Sequence, residues 1–464
     1  MEENKGLNIS TKSFITATLV IFVLMVCTYL LTFIIPGGEY ARVLDEAGNT
    51  IIDTAKGFTY VDGGISFVTW ALSPVLVLFG DGSGSIIAVI LFLLVIGGVF
   101  NSLDKCGLMR YMLDVITSKF SKNRYLLLAI VALFFMSLGA FIGSFEEAVP
   151  LVPIVVALAI RLGWTSLIGL GMSVLAIGCG FASGVCNPFT VGVAQELAGL
   201  PMFSGMSLRF VSFIIIYIVL FIYLFYHAKK VETDIVEEET EEFEKDPKMA
   251  KGLICFVGIL CLGILVIFSS VFIPALQAFT MIIVAVMFLV AGIASVLLAG
   301  VKGKDLAKTF VDGVVTMLPA ILMILMANSI KYTLVEAKIL DTLLYHAVSI
   351  AQTMPRGAVI LFIYFLVLLM NFFIPSGSAK AFLLMPLIVP VAQIFDISAQ
   401  LCVMAFAFGD GFSNIFYPTN PVLLISLGVA NVNYIDWVKW SYKFQLFNLI
   451  ITSGILLFGL MIGY

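Results

Sequence analysis

Charge is the scarcest commodity in this 464-residue chain: 12% of residues are Asp, Glu, Lys or Arg, about half the ~25% of an ordinary soluble domain. Histidine occurs twice, at isolated positions, and no Cys/His/Asp spacing suits a metal. Cysteine occurs seven times, an odd number placed mostly inside apolar runs, which excludes a disulfide framework. No basic patch interleaved with aromatics is present, so nucleic acid is not an expected partner. No nucleophile–base pair, metal motif or nucleotide-binding loop is present either, which argues against an enzyme. The first apolar run follows MEENKGLNISTK. It is too long for a signal-peptide core and lacks a small-residue cleavage site, so it reads as a retained helix.

What fills the chain is hydrophobic: 61% of residues, with a mean hydropathy of +1.13. Ser13–Pro36, Ile86–Leu103, Ser207–Tyr226, Gly252–Ile273, Met281–Ala299 and Phe444–Met461 each reach about the ~18 residues that carry a helix across a bilayer. A barrel would show short alternating segments instead. The expected class is an all-α polytopic membrane protein, multi-pass in the cytoplasmic membrane, with the lipid bilayer as its solvent.

One polar segment, AKKVETDIVEEETEEFEKDPKMAK, divides the chain. Its charge and poverty in apolar side chains mark a solvated linker at 228–251, between membrane halves 1–227 and 252–464. A shift of 233 residues aligns Gly143–Pro188 with Ser376–Pro421, with eight identities that include Pro153/Pro386, Gly178/Gly411, Asn187/Asn420 and Pro188/Pro421. This reads as a duplicated unit. Arg124 and Arg161 bracket two apolar segments, and Lys and Arg favour the cytoplasm. Residues 124–161 are therefore expected to form a re-entrant helical hairpin, followed by a broken helix at 165–198. Hairpin 356–395 and broken helix 399–430 are the counterparts. With the N-terminus inside, this trace leaves 18 basic residues inside and six outside. It also makes the two units inverted repeats. Gly37–Gly64 alternates around a turn and is expected to form a small external β-hairpin. Leu108–Phe120 and Leu340–Ala351 read as amphipathic helices at matching places in the two halves.

The breaks are where chemistry is expected. FSNIFYPTNPVLL puts Ser, Asn, Pro, Thr, Asn and Pro within nine residues of a membrane-grade run. Val422–Ala430 covers roughly 14 Å of helix, about half of a ~30 Å hydrocarbon core, so the interruption at Gly409–Pro421 falls near the midplane. Unwound backbone there is tolerable only inside protein or facing a wet cavity. Asn187 and Asn420 suit N-caps with Pro188 and Pro421 at the first helical position. Each half-helix start would offer free N–H groups and a positive dipole end to a carboxylate. Ser183, Asn187, Thr190, Ser413, Thr419 and Asn420 supply oxygens near the breaks. Of these, Ser183, Asn187, Ser413 and Asn420 are the candidate ligands for a coupling sodium ion; a proton is the alternative.

The hairpin tips carry the remaining candidates. GSFEEA contributes Ser144, Glu146 and Glu147, with Ser144 and Glu147 at capping-box spacing. PSGSAKA contributes Ser376, Ser378 and Lys380. Lys380 could pair with Glu146 or Glu147, meet a substrate carboxylate, or snorkel to the surface. Asp410 lies between two glycines and suits a cap or backbone clamp. Intramembrane charge is costly and usually functional. Acid on one tip and base on the other suit a zwitterion, and a basic amino acid adds a second cation for the second Glu. A C4-dicarboxylate would find Glu146 and Glu147 awkward, and a sodium/proton antiporter would use the acids for cations alone.

GSFEEAVPLVPIVVALA, GFASGVCNPFTVGVAQELAGLPMFSGMSLR, IPSGSAKAFLLMPLIVPVAQ, FGDGFSN, YPTNPVLLISLGVANVNYIDWVKW and the N-terminal TYLLTFIIPGGEYARV resemble the YfcC-type branch of the DcuC-like anaerobic C4-dicarboxylate carrier family, in the ion transporter superfamily. The resemblance covers nearly the whole chain. It implies a homodimeric elevator-type carrier. For this branch it implies antiport of a basic amino acid, of arginine/ornithine type.

Overall fold

The computed structural model describes residues 11–44, 50–52, 56–80, 83–120, 123–143, 145–233, 246–270 and 280–464. It is nearly all helical. Among the described residues, eight helices are long and apolar enough to cross a membrane. The first half runs α1 (Thr11–Leu31), four short strands, α2 (Phe67–Leu76), α3 (Ser83–Lys105), α4 (Leu108–Phe120), α5 (Arg124–Ser137), α6 (Val152–Arg161), α7 (Ser166–Leu170), α8 (Ala176–Ser183), α9 (Val193–Leu197) and α10 (Met206–Lys230). The second half runs α11 (Pro247–Ser270), α12 (Thr280–Leu298), α13 (Gly303–Thr316), α14 (Leu318–Glu336), α15 (Leu340–Ala351), α16 (Arg356–Phe373), α17 (Gly377–Ile394), α18 (Ala399–Asn414), α19 (Pro421–Val429) and α20 (Tyr434–Ile462). The centre of the acidic segment, 234–245, lies outside the described residues.

The strands form two two-stranded antiparallel sheets. β1 (Gly38–Tyr40) is antiparallel to β4 (Phe58–Tyr60), and β2 (Arg42–Leu44) to β3 (Thr50–Ile52). They dock on the N-terminus of α15 in the other half of the chain. The Tyr40 N–H donates to Asp341 Oδ2 at 2.9 Å, and Arg42 donates to Asp341 Oδ1 at 3.0 Å. Phe58 stacks on Tyr345 with ring centroids 4.3 Å apart. Asp341 thus fixes a strand end by a charge-assisted pair while sitting in the first turn of a helix, where negative charge is favoured.

Segments 124–161 and 356–395 each hold two helices, and the two ends of each segment lie near one another. Arg124, at the start of α5, forms an ion pair with Glu232. Just past α6, the Gly163 carbonyl accepts from the Thr233 N–H at 3.0 Å. Start and finish of the first hairpin therefore lie beside the C-terminal end of α10. In the second hairpin, Arg356 at the start of α16 donates to the Asp396 carbonyl at 2.6 Å. Two residues on, Ser398 donates to the Tyr464 backbone carbonyl, while the Tyr464 hydroxyl donates to the Gly205 carbonyl. That end lies beside the N-terminal end of α10. A 25-residue helix is ~37 Å long at about 1.5 Å per residue, so the ends of the two segments lie at opposite ends of α10.

Between them, α8 crosses α18 at two points. A Cβ added to Gly178 would lie 2.1 Å from Ile415, and one added to Gly411 would lie 2.2 Å from the Ala182 backbone. A shift of 233 turns Gly178 into Gly411 and Ala182 into Ile415. The two contacts therefore exchange under the shift, as contacts across a two-fold axis do. In the span containing α7, α8 and α9, residues 168–185 are buried, as are Asn187 and Pro188, with Cys186 half-buried, so its interruption lies largely within protein, as unwound backbone requires.

One sequence expectation needs correction here. The second break is shorter than Gly409–Pro421: α18 continues through Asn414, leaving only 415–420 non-helical. Gly409 and Gly411 do not interrupt the helix but allow close approach, Gly409 to α16 at Val367 and Gly411 to α8. Helix α2, ten residues with Pro74 inside, was not anticipated.

Candidate functional site

Both half-helix starts are built alike. Asn187 Oδ1 accepts from the N–H groups of Phe189 and Thr190 at 2.9 and 3.3 Å. Asn420 Oδ1 accepts from those of Val422 and Leu423, also at 2.9 and 3.3 Å. Pro occupies the first helical position in each, where it lacks an N–H that the helix does not use. The expectation of free N–H groups at these ends is therefore corrected: the caps already hold two donors at each. What is left to a ligand is the dipole and the side chains.

Backbone carbonyls at the breaks are likewise engaged. Val185 O accepts from Arg209 of α10, at 3.3 Å from both Nε and a terminal nitrogen. Ile415 O accepts from the Trp437 indole and Phe416 O from the Tyr434 hydroxyl, both at 2.9 Å. Cys186 N–H donates to Ala140 O at 3.1 Å, tying the first break to the first hairpin. At that hairpin's tip Gly143 adopts φ +77°, and an added Cβ would lie 2.1 Å from Asn187 Oδ1. Conformation and proximity both demand glycine there.

The centre of the site is Lys380. It lies in the first turn of α17, wholly buried, where the helix dipole disfavours a cation. Its ammonium donates to Asp410 Oδ1 at 2.5 Å, to Asn371 Oδ1, and over 3.5 Å to the Ile374 carbonyl. An ammonium has three donors, and all three are engaged. Lys380 therefore neither snorkels nor offers a spare N–H to a substrate carboxylate in this structure. Its partner is Asp410, which acts as a counter-ion in α18 and not as a cap or backbone clamp.

A chain of amides extends from this pair. Asn371 Nδ2 donates to Asn414 Oδ1 at 2.9 Å, and Asn420 Nδ2 donates to the same oxygen at 2.8 Å. The network links hairpin helix α16, α18 and the cap of α19. Asn371 and Asn414 were not singled out from sequence; a lone amide inside ILFIYFLVLLMNFF was the available signal. The network also reaches the first break. A Cβ on Gly377 would lie 2.8 Å from Asp410 Oδ2 and 2.4 Å from Thr190 Cγ2. Thr190, Gly377 and Asp410 thus converge from the first break, the second tip and the helix before the second break.

Several buried polar atoms here have no partner among the described residues: Asp410 Oδ2, Thr190 Oγ1, Thr419 Oγ1 and Asn187 Nδ2. A buried polar atom left unpaired costs about 1–3 kcal/mol; of these four residues, Thr190 and Asp410 flank Gly377. The other candidates are placed as follows. Ser183 and Ser413 are buried, and each hydroxyl donates to the carbonyl four residues back, Cys179 and Gly409. Ser376 is the exposed N-cap position of α17 and makes no side-chain cap bond, and Ser378 is half-buried in its first turn. Ser144 lies outside the described residues, as do the side chains of Glu146 and Glu147, whose backbone starts a 3-10 turn. Behind that turn is a small recess lined by Phe145, Val149, Val152, Val174, Ile177 and Val422.

With this geometry in hand, comparison with known proteins is decisive at one level. The family described as C4-dicarboxylate anaerobic carrier matches residues 14–461. The chain belongs to that family. This carrier-family member is an integral membrane protein of a transporter family. It is 29% identical to the Escherichia coli (strain K12) protein named "Putative basic amino acid antiporter YfcC", over 96% of each chain. It is 25% identical to an uncharacterized protein of Haemophilus influenzae (strain ATCC 51907 / DSM 11121 / KW20 / Rd), over 78% of this chain and 73% of that one. Among solved structures, the YdaH transporter of Alcanivorax borkumensis aligns with a TM-score of 0.44 and 16% identity, covering 97% of this chain and 99% of that one. Neisseria gonorrhoeae MtrF, from a class of antimetabolite efflux pumps, aligns with a TM-score of 0.44 and 16% identity over 95% and 94%.

Proposed function

We propose that this carrier-family member is a secondary active transporter that exchanges a small amino acid, of basic type, across the cytoplasmic membrane. Two inverted repeats would place re-entrant tips and broken helices together halfway across the lipid. Support for the inversion comes from the two hairpin segments having their ends at opposite ends of α10 and from the exchange of Gly178–Ile415 for Gly411–Ala182. An elevator-type movement of the two hairpins with their broken helices, against a dimeric scaffold, belongs to the same reading. A sodium ion or a proton would drive it.

The observation that carries the substrate class is the unpartnered set around the Lys380–Asp410 pair. The pair is neutral, so it offers no net positive charge to match against an anion. Among the described residues only two basic side chains are buried, Lys380 and Arg209, and both are already hydrogen-bonded within the protein. A C4-dicarboxylate would bring two negative charges to a place with no cation free to receive them. A zwitterion fits better: Asp410 Oδ2 and the Thr190 hydroxyl accept from an ammonium, and Asn187 Nδ2 donates to a carboxylate. Glu146 and Glu147, by position at the opposite tip, would receive the second cation of a basic side chain. The name of the Escherichia coli relative agrees with this class.

Proteoliposomes loaded with arginine, ornithine, aspartate or succinate and challenged with each, with and without a sodium gradient, test the reading. Arginine or ornithine exchange is expected, and Glu146→Gln or Glu147→Gln abolishes it while the protein stays folded. Succinate exchange without amino acid exchange would instead favour the dicarboxylate reading. Sodium-dependent pH change with no organic substrate would favour the inorganic antiporter.

A further inference from the structure

The surroundings of the Lys380 ammonium have the composition of a cation site. They comprise a carboxylate oxygen (Asp410), an amide oxygen (Asn371) and a main-chain carbonyl (Ile374). Ile374 is the residue that closes helix α16, and carbonyls at a helix C-terminus carry the negative end of its dipole. Broken-helix carriers use such helix ends and unwound carbonyls to coordinate small cations. Here a side chain from the next helix fills the place.

The cage belongs to one half only. The 233-residue shift carries Asn371, Asp410 and Asn414 onto Leu138, Ile177 and Phe181, three apolar residues. It carries Lys380 onto Glu147. A structural feature of the duplicated scaffold would recur in both units; the caps Asn187 and Asn420 do recur, and this cage does not. The fixed cation and its oxygen ligands therefore form a set peculiar to the second half. The remaining oxygen, Asp410 Oδ2, is buried without a partner among the described residues, and it faces Thr190 across Gly377.

We infer that Lys380 is a tethered cation occupying a monovalent-cation site at the second hairpin tip, so that this half of the carrier needs no sodium ion there. Removing the ammonium vacates a site bounded by Asp410, Asn371 and Ile374, and sodium then binds it. The inference deepens the carrier reading, on which its place in a transport cycle rests. Its test needs no substrate and no transport, so the two can fail separately.

Melting of the purified protein is followed in sodium chloride and in N-methylglucamine chloride of equal ionic strength, for wild type, Lys380→Ala and Lys380→Ala/Asp410→Asn. A ligand that binds only the folded state raises the melting point. Lys380→Ala should gain a sodium-specific rise of about 2 °C or more beyond that of wild type, absent from the double variant, which lacks the carboxylate. If Lys380→Ala is recoverable only from sodium-containing buffers, the inference holds in its strongest form. Equal melting in the two salts would overturn it. So would a Lys380→Ala protein that cannot be recovered even in sodium while the double variant folds.

Discussion

Lys380 and Asp410, thirty positions apart in the chain, meet at 2.5 Å with neither side chain exposed. Interiors of low dielectric make such a pair strongly asymmetric in its energetics. Removing both charges together can be close to neutral, whereas removing one strands the other and costs about 3–5 kcal/mol. Asp410→Ala should therefore lower the melting point far more than Lys380→Met/Asp410→Ala. Thermal melting of both variants, in a buffer free of small metal cations, reads the difference. Equal destabilisation would mean that the ion pair contributes little beyond its packing volume.

The two asparagine caps give a prediction about geometry. Each holds two N–H groups that Pro-first helices cannot otherwise satisfy. Asn187→Ala and Asn420→Ala should each cost about 1–2 kcal/mol. Asn420→Ala should cost more than its counterpart, because its Nδ2 also donates to Asn414. Asn420→Asp keeps the cap acceptor and loses that donor, so it should fall between wild type and Asn420→Ala. Melting points of the three variants give the order.

The strand pair on α15 has an alkaline signature. Burial, with Asp341 and Tyr345 nearby, pushes the Tyr40 phenol up from its ordinary 10 to about 12. The fold therefore favours the protonated phenol. That contribution is complete below pH 10, where folded and unfolded chains both hold the proton. It declines as pH rises through about 12. Tyr40→Phe should lose less melting temperature between pH 10 and 12 than wild type. Asp341→Asn should weaken strand docking at every pH, since Arg42 and the Tyr40 N–H both lose a charged acceptor.

How much of this was legible in the sequence depends on how local each cause is. The Asn-Pro caps, helices Leu108–Phe120 and Leu340–Ala351, and the strand pair follow from neighbours a few residues apart, and they could be read. The second break was misplaced because Gly409 and Gly411 were read as interruptions. Their absent side chains instead admit Val367 of α16 and Ala182 of α8, residues far away in the chain. The Lys380–Asp410 pair is hidden for the same reason: nothing near Lys380 in sequence points to Asp410. Arg209 is buried and holds the Val185 carbonyl at the first break. Only the three-dimensional path of α10 reveals that.

At Gly377 the second tip approaches both Thr190 and Asp410. It begins α17, and an added Cβ would come within 2.8 Å of Asp410 Oδ2 and 2.4 Å of Thr190 Cγ2. Both atoms belong to the unpartnered set or its immediate carbon frame, so an alanine methyl would overlap them and force them to shift. Backbone strain is not the issue, because Gly377 lies in ordinary helical conformation, where alanine is favoured by about 1 kcal/mol. Gly377→Ala should nonetheless lower the melting point, through the cost of about 1–3 kcal/mol typical of overpacking, and lose exchange by tenfold or more, about 1.4 kcal/mol in transition-state terms. Gly454→Ala is the control: its added Cβ meets nothing within 4 Å, and it should exchange normally. Full activity in Gly377→Ala would place the guest elsewhere, and the convergence of Thr190, Gly377 and Asp410 would then be a packing contact alone.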